Sequence, residues 1–156
     1  MLFRSRADGL YFSGIVGGCR MIFLDTVSAV ISAQQLDFLK AGLDSAGNRS
    51  VIIFSHHPIL YCGNKFMDRT HPLKNRGTVV GLLRDFDGDV TVFSGHYHED
   101  YTVKTGNITQ FITLSALRQL NRDSEVFEIG SSEFGYRIID TEFPADNTVV
   151  RFNPYK

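Results

Sequence analysis

Four of the five histidines of this 156-residue sequence lie in two short stretches. The first stretch is Ser55-His56-His57-Pro58, and the second is Gly95-His96-Tyr97-His98. Neutral imidazoles are good ligands for zinc, iron and manganese ions. A single His-x-His pair is a weak indication of a metal site, but two histidine stretches that each follow an apolar run are a stronger one. We therefore predict a metal site built from His56, His96 and His98.

The segments before the two stretches are predicted to be strands. Residues 51–54 and 90–93 are short and continuously apolar, as expected for strands buried on both faces, and a predicted helix over residues 75–86 separates them. Ligands at the carboxyl ends of neighbouring strands in an α/β sheet meet in one crevice. If the second stretch continues its strand, His96 and His98 point to one side. If the backbone of the first stretch is extended, His57 faces away from His56, and His57 is either a substrate contact or a supporting residue.

The rest of the chain predicts a layered α/β fold. Gly17-Gly18 joins two apolar runs and indicates a β-hairpin. Ser32 and Gln35 form a capping-box pattern at the start of a helix that ends at Gly47. Residues 58–71 are predicted to be a loop, and residues 118–132 a loop or short helix. The remaining strands are predicted at 10–16, 20–24, 101–104, 108–114, 134–141 and 148–152, with a turn at 144–147. The last strands are expected to form a second, more antiparallel sheet.

The bulk composition narrows the class of protein. Hydrophobic residues are 43% and charged residues 21%, which is ordinary for a globular chain, and the length predicts one domain over residues 1–156. A net charge of −1 gives no electrostatic case for nucleic acid or an anionic membrane. No apolar run approaches the roughly 20 residues of a membrane span, and Asp8 and Gly9 interrupt any signal peptide. Cys19 and Cys62 form no disulfide framework, so a cytoplasmic location is the default prediction.

Several other residues could belong to the site, but each of them could also have a purely structural role. Asp25 ends a predicted strand and is either a site residue or a turn residue. Asp68 and Asp100 lie beside the histidine stretches as carboxylate partners for imidazoles or as solvated loop acids. His71 is predicted to be a solvated or capping residue. Ser55 and Ser94 precede the histidines, but no nucleophile-elbow pattern surrounds either serine.

The two histidine stretches resemble the last two signature blocks of the calcineurin-like metallophosphoesterases. Phe23-Leu24-Asp25-Thr26 is similar to a strand-ending segment of that family, and the best likeness is to its cyclic-nucleotide phosphodiesterase and purple-acid-phosphatase-like branches. The resemblance implies the C-terminal half of a layered α/β/β/α sandwich with mixed sheets. It also implies a centre of two metals, drawn from manganese, iron or zinc, with a bridging hydroxide that attacks a phosphoester. By position, His56 and His96 would ligate one metal and His98 the other, and His57 resembles a position near the substrate.

The sequence departs from the family pattern in one large respect. The first three blocks of the family, Asp-x-His, Gly-Asp-x-x-Asp and Gly-Asn-His-Asp/Glu, do not occur here. The bridging aspartate and the remaining metal ligands are absent with them. We therefore expect this chain to be the C-terminal part of a metal-dependent hydrolase of phosphomonoesters or phosphodiesters, and to be inactive alone. The expected partners are a small phosphoester substrate and either a missing N-terminal half or a second copy in a homodimer.

Two alternatives remain open at this point. The chain is alternatively a non-catalytic binding or oligomerisation module with a vestigial metal site. A hydrolase with one metal held by three histidines is the second alternative, and it needs all three imidazoles on a single ion. Whether the chain is an enzyme, which substrate it takes and which metal it binds are left undecided by the sequence.

Overall fold

A computed structural model describes residues 3–4, 9–140 and 147–152 of the chain. Its helices in these ranges are α1 (Ala33–Ala46), α2 (Lys65–Thr70) and α3 (Arg76–Arg84). Its strands are β1 (Phe3–Arg4), β2 (Phe12–Val16), β3 (Cys19–Leu24), β4 (Val51–Ser55), β5 (Val90–Ser94), β6 (Tyr101–Thr105), β7 (Ile108–Ile112), β8 (Gln119–Leu120), β9 (Ile129–Ser131), β10 (Phe134–Ile139) and β11 (Asn147–Phe152). Among the residues described, no helix is both long enough and apolar enough to span a membrane.

The main sheet has seven strands in the order β1-β2-β3-β4-β5-β7-β6. The four central strands β3, β4, β5 and β7 run parallel, whereas β1, β2 and β6 add antiparallel edges. Strands β10 and β11 form a separate antiparallel pair, and so do β8 and β9. The mixed α/β architecture predicted from the sequence is therefore confirmed. The predicted turn at 144–147 lies largely outside the described residues.

The four parallel strands end level with one another. Leu24 at the end of β3 pairs with Ser55 of β4, Ser55 pairs with Ser94 of β5, and Ser94 pairs with Ile112 of β7. The residue after each of these positions consequently emerges at the same edge of the sheet. This register places the two histidine stretches side by side, as the sequence predicts.

Helices cover one face of the sheet. Leu39 and Leu43 of α1 and Val79 and Leu83 of α3 are buried in one aliphatic core. The strand residues that complete this core are Ile22, Leu24, Val51, Ile53, Val90, Val92 and Ile108. Because side chains alternate across a strand, every second strand residue faces these helices and the residues between them face the other layer.

The opposite face carries a row of stacked phenylalanines, one from each of five neighbouring strands. Adjacent ring centroids are 4.4, 4.7, 5.6 and 5.3 Å apart. The row consists of Phe12, Phe23, Phe54, Phe93 and Phe111. Cross-strand aromatic pairs each contribute roughly 0.2–1 kcal/mol to sheet stability. All but Phe93 are only half-buried, so much of this apolar surface is open.

The first predicted hairpin and helix are confirmed, with one change in the cap. Gly17 and Gly18 join β2 to β3 with φ angles of 56° and 81°. The Ser32 side chain accepts the Gln35 N–H at 3.3 Å, as a helix N-cap does. The Gln35 amide does not complete a capping box. It bonds the backbone N–H and carbonyl of Asp25 instead, each at 2.9 Å, and ties α1 to the end of β3.

Two predicted loops contain regular structure. Residues 58–71 include α2, which begins after Asn64 because the Asn64 side chain accepts the Met67 N–H at 3.0 Å. Residues 118–132 include the short strands β8 and β9. The two segments support each other, since the Lys65 N–H donates to the Arg122 carbonyl at 2.9 Å. Such short elements depend on tertiary contacts, which local sequence patterns do not reveal.

Candidate metal centre

His56 and His96 meet at the carboxyl edge of the parallel sheet. His56 follows β4 and His96 lies two residues after β5, and the His56 Nε2 atom is 3.1 Å from the His96 Nδ1 atom. The backbone joins the two turns as well, because the Gly95 N–H donates to the His56 carbonyl at 3.2 Å. Two ring nitrogens this close can share a proton in a hydrogen bond or face a common cation.

A backbone carbonyl orients the His96 ring. Its Nε2 atom lies 3.2 Å from the carbonyl oxygen of His71, which ends α2. A carbonyl only accepts, so the hydrogen of the neutral His96 ring resides on Nε2 and the lone pair is on Nδ1. Metal-ligating histidines commonly donate their second ring N–H to a carbonyl in this way. His96 thus presents Nδ1 toward His56 as a ligand atom would be presented.

His57 lies inside the cluster, contrary to the expectation that it faces away from His56. It is buried, its ring centroid is 5.4 Å from that of His56, and it is 4.0 Å from that of His96. The strand ends at Ser55, so the alternation assumed for an extended chain no longer applies. Its Nδ1 atom is 2.9 Å from the Thr26 hydroxyl oxygen. The segment that follows β3 therefore fixes the His57 ring through the Thr26 hydroxyl.

The second stretch does not continue its strand. β5 ends at Ser94, and His96 and His98 both adopt the left-handed conformation, with φ angles of 65° and 51°. The two imidazoles are partly exposed while Tyr97 between them is fully buried. Burial therefore alternates along these three residues, but in a tight turn and not in a continued strand. The His98 carbonyl accepts the Leu120 N–H at 3.1 Å, which anchors the end of that turn.

Burial favours the neutral form of His56, His57 and His96. The pKa of His96 is lowered to about 4, mainly by burial and then by the neighbouring His57 and His56. Burial also lowers the pKa of His56, as does the charge of His98. The pKa of His57 is lowered by burial and then by His56 and His71. A neutral imidazole is the form that binds metal ions.

The carboxylates named from the sequence have other roles. Asp25 accepts the N–H groups of Val27 at 3.0 Å and Leu10 at 3.1 Å and is a turn residue. These bonds hold the pKa of Asp25 below its usual range. Asp100 pairs with Arg137 at 2.8 Å and also with Arg151. Asp68 accepts the Tyr97 hydroxyl rather than an imidazole.

The donor set fits one side of a metal centre. His56 and His96 present ring nitrogens at one edge, His98 lies in the same turn as His96, and His96 is oriented as a ligand. Over the described residues, however, no three histidine, cysteine or acidic side chains converge closely enough to hold an ion. No carboxylate of the cluster offsets the charge of two dications. The described side chains alone therefore do not complete a metal site.

The serines before the histidines are structural. Ser55 Oγ donates to the His57 carbonyl at 2.8 Å and lies 3.2 Å from Ser94 Oγ. Both side chains are buried between the strand ends. The geometry gives no acid–base–nucleophile arrangement, in agreement with the absence of a nucleophile-elbow pattern.

Three supporting groups were not recognised from the sequence: the Thr26 hydroxyl, the His71 carbonyl and the Tyr97 phenol. Thr26 could have been found, because it follows a strand that runs parallel to β4 and so reaches the same edge. The His71 carbonyl could not, since its position depends on α2, which was predicted as loop. Tyr97 occupies the variable position of a His-x-His pair, where nothing in the spacing indicates a role.

Comparisons with known proteins agree with the fold. No protein-family model matches the chain. A probable cyclic nucleotide phosphodiesterase of Fibrobacter succinogenes is 31% identical over 133 residues, which cover 83% of this chain and 50% of that protein. The 3',5'-cyclic adenosine monophosphate phosphodiesterase CpdA of Pseudomonas aeruginosa is 28% identical over 127 residues, covering 78% of this chain and 46% of that protein.

A solved structure shows the same fold. A dimetal phosphatase from Danio rerio superimposes with a TM-score of 0.52 at 19% identity, over 79% of this chain and 38% of the other. The chain spans about half the length of the curated relatives it matches. The mixed α/β fold, the two histidine blocks and these relatives agree with one another. The chain belongs to the calcineurin-like metallophosphoesterases.

Proposed function

We propose that this chain supplies the imidazole side of a two-metal centre that hydrolyses phosphoesters. His56 and His96 would hold one ion and His98 the other. Divalent manganese, iron or zinc bound there would supply Lewis-acid polarisation of the phosphoryl group. The observation that carries the proposal is the 3.1 Å approach of His56 Nε2 to His96 Nδ1, with the opposite nitrogen of His96 bonded to a carbonyl.

The residues of this chain would orient and shield the centre. The His71 carbonyl fixes the ligand tautomer of His96. Thr26 fixes the buried His57 ring 4.0 Å from that of His96, where we propose that it contacts the substrate. The neutral state of these rings allows them to bind cations at ordinary pH. The substrate class that we propose is a small phosphodiester, because the relatives are named as phosphodiesterases.

Turnover is proposed to need ligands that this chain does not provide. We propose that these ligands come from a further layer that packs on the phenylalanine row. A cavity of about 600 Å³ runs beside the row and reaches His56 and Gly95 at the sheet edge. A polypeptide layer that packs on Phe23, Phe54 and Phe93 would therefore end beside the histidines.

We propose that this layer carries the three signature blocks absent here, either in a longer chain or in a separate polypeptide. The proposal is supported by the relatives, which are about twice the length of the segment they share with this chain. A second copy of this chain could cover the apolar row, but it would bring no carboxylate from those blocks. Both cysteines are free and buried, so we propose a reducing, cytoplasmic location.

One observation favours a second function, a non-catalytic binding or oligomerisation module. The described residues present an open apolar face but no three-ligand metal cluster. In such a module the apolar face would be the functional surface and the histidines a remnant. The two functions predict different behaviour toward metal ions.

The test is calorimetric titration of the chain with Zn²⁺ and Mn²⁺, followed by assay with an aryl phosphodiester. We expect binding of about one ion without turnover. His56→Ala and His96→Ala should each weaken binding by on the order of tenfold or more. Asp25→Asn is the matched control, because Asp25 lies at the same edge but accepts backbone N–H groups in a turn. The affinity of the Asp25→Asn variant for Zn²⁺ and Mn²⁺ should match that of the unaltered chain.

The outcomes separate the hypotheses. Negligible metal binding by folded protein would overturn the expectation that this chain alone holds an ion, and would leave a fragment that binds metal only with the missing ligands or a non-catalytic module. Two ions per chain with hydrolysis would overturn the proposal that further ligands are needed. If the unaltered chain binds a single ion tightly, and His56→Ala and His98→Ala lose that ion equally, then three histidines hold one metal. Light scattering of the same samples shows whether a second copy covers the apolar face.

A further inference from the structure

We propose that Tyr97 and Asp68 are positioning residues of the metal centre. The hydrogen bond between them holds the turn that carries His96 and His98 in its ligand-presenting conformation. This inference rests on the proposed metal-binding function of the histidines. Its structural part, control of the turn, can be tested without any metal.

The turn needs an external restraint. Non-glycine residues with positive φ are uncommon, and such a conformation persists only where the surrounding structure imposes it. Here His96 and His98 both adopt it, with only Tyr97 between them. The histidine side chains are not enough as a restraint, because both are partly exposed and only the His96 ring has a hydrogen bond to the neighbouring helix segment among the described residues. The restraint must come from the residue between them or from the residues that flank the turn.

Tyr97 is the residue that points inward. Its side chain is fully buried and its hydroxyl donates to Asp68 Oδ1 at 3.1 Å. Its ring packs with Cys62, Met67 and Ile112 in a small apolar cluster beneath the sheet edge. A phenol fixed at both its ring and its hydroxyl leaves the backbone on either side little freedom. The two flanking imidazoles are then directed to the opposite side.

Asp68 is a rigid acceptor for that phenol. Its Oδ2 atom accepts the backbone N–H groups of Cys62, Gly63 and Asn64 at 3.1, 2.8 and 3.2 Å. Its Oδ1 atom accepts Arg76 at 2.7 Å in addition to the Tyr97 hydroxyl. With this many donors the carboxylate has one allowed orientation. The position of the Tyr97 oxygen is thereby set by the loop before α2 and the first residue of α3.

The same helix contacts the site a second time. Asp68 lies in α2, and the residue that caps the C-terminus of α2 is His71, whose carbonyl accepts the His96 Nε2 hydrogen. The short helix and its cap therefore contact the turn twice, through the hydrogen bond of Asp68 to Tyr97 and through that of the His71 carbonyl to the His96 ring. Loss of the phenol contact should loosen the turn even though the ring still packs.

The experiment compares Tyr97→Phe with Tyr101→Phe. Tyr97→Phe keeps the buried ring and removes only the hydroxyl. Tyr101 lies four residues further on. The guanidinium carbon of Arg122 lies 3.6 Å from the centroid of the Tyr101 ring. The Tyr101 hydroxyl makes no hydrogen bond among the described residues. Asp68→Asn is not the primary variant, because the loss of its charge weakens the Arg76 pair and three backbone contacts together.

Two measurements are made on each protein. Nuclear Overhauser contacts between the His56 and His96 rings, whose centroids are 4.8 Å apart, report the turn without metal. Titration with Zn²⁺ alone measures the Zn²⁺ affinity, and so shows whether a change in the turn alters metal binding by His96 and His98. We expect Tyr97→Phe to lose the ring contacts and to bind Zn²⁺ about tenfold more weakly. Tyr101→Phe should retain both properties.

The results distinguish this inference from the proposed function. Retained ring contacts in Tyr97→Phe would overturn the inference, and so would an equal loss in Tyr101→Phe. If the unaltered chain binds no Zn²⁺, the proposed function fails, and the ring contacts still decide whether Tyr97 controls the turn. Lost contacts with unchanged Zn²⁺ affinity would overturn the positioning role, because the turn would then not limit ligand presentation.

Discussion

Thr26 holds His57 through a single oxygen atom. The Thr26 hydroxyl oxygen accepts the His57 backbone N–H at 3.2 Å and lies 2.9 Å from the His57 Nδ1 atom. Both residues are buried, so neither contact is readily replaced by water. The segment after β3 is thereby attached to the segment after β4 at the edge where the histidines meet.

Replacement of Thr26 by valine should destabilise the protein by about 1–3 kcal/mol. Valine has the shape of threonine but leaves the buried His57 N–H without an acceptor, and an unsatisfied buried donor costs about that much. Chemical denaturation measures the change in the free energy of unfolding. Thr26→Ser keeps the hydroxyl and should lie close to the unaltered protein. A Thr26→Val protein as stable as Thr26→Ser would contradict the assignment.

Gln110→Leu should destabilise the protein by about 2 kcal/mol or more, because two buried donors lose their acceptor. The fully buried Gln110 side chain accepts the N–H groups of Ile59 at 2.7 Å and Leu60 at 3.0 Å, just after the first histidine stretch. Thr109→Val is the control, since Thr109 lies on the same strand but points to the other face. Equal unfolding free energies for the two variants would show that the Gln110 contacts add nothing.

Both cysteines should resist alkylation in the folded protein. Cys19 and Cys62 are free and buried, and burial is the largest cause that raises the pKa of each thiol. A raised pKa lowers the fraction of reactive thiolate at any given pH, so labelling by iodoacetamide between pH 7 and 9 should be slow. Mass spectrometry should find two labels after denaturation. Rapid native labelling of either residue would show that its site is open.

Two glycine substitutions should have opposite signs. A Cβ at Gly135 would lie 2.1 Å from the Val150 carbonyl oxygen, so Gly135→Ala should force β10 and β11 apart. Gly81 lies exposed within α3, and a Cβ there meets nothing within 4 Å. Gly81→Ala should therefore stabilise the protein by about 0.5–1 kcal/mol through helix propensity. Thermal unfolding of both variants checks the pair, and the same sign for both would contradict these packing environments.

The sequence predicted the parts of the fold that depend on local patterns. The buried strands before His56 and His96 were identified from continuous apolar runs, and their convergence followed from the parallel arrangement. The hairpin at Gly17-Gly18 followed from residues that tolerate positive φ. These features need only neighbouring residues, so a single sequence is sufficient to find them.

The features that were predicted wrongly depend on distant contacts. α2 has only six residues and is stabilised by its Asn64 cap and by the Arg122 carbonyl. The left-handed turn at His96 and His98 is formed around Tyr97, whose partner Asp68 is 29 residues away. The orientation of His57 likewise depends on Thr26, 31 residues earlier. No local rule assigns positive φ to histidine or helix to a polar loop.

The level register of the parallel strands makes the site intolerant of changes in strand length. Ser55 pairs directly with Ser94, and the histidines begin one and two residues beyond these positions. Deletion of one residue from β4 alone would shift the end of that strand by about 3.3 Å relative to β5. The His56 Nε2 atom would then no longer lie 3.1 Å from the His96 Nδ1 atom. Length variation should therefore accumulate in the loops that precede the strands, while the interval between β4 and His56 stays fixed.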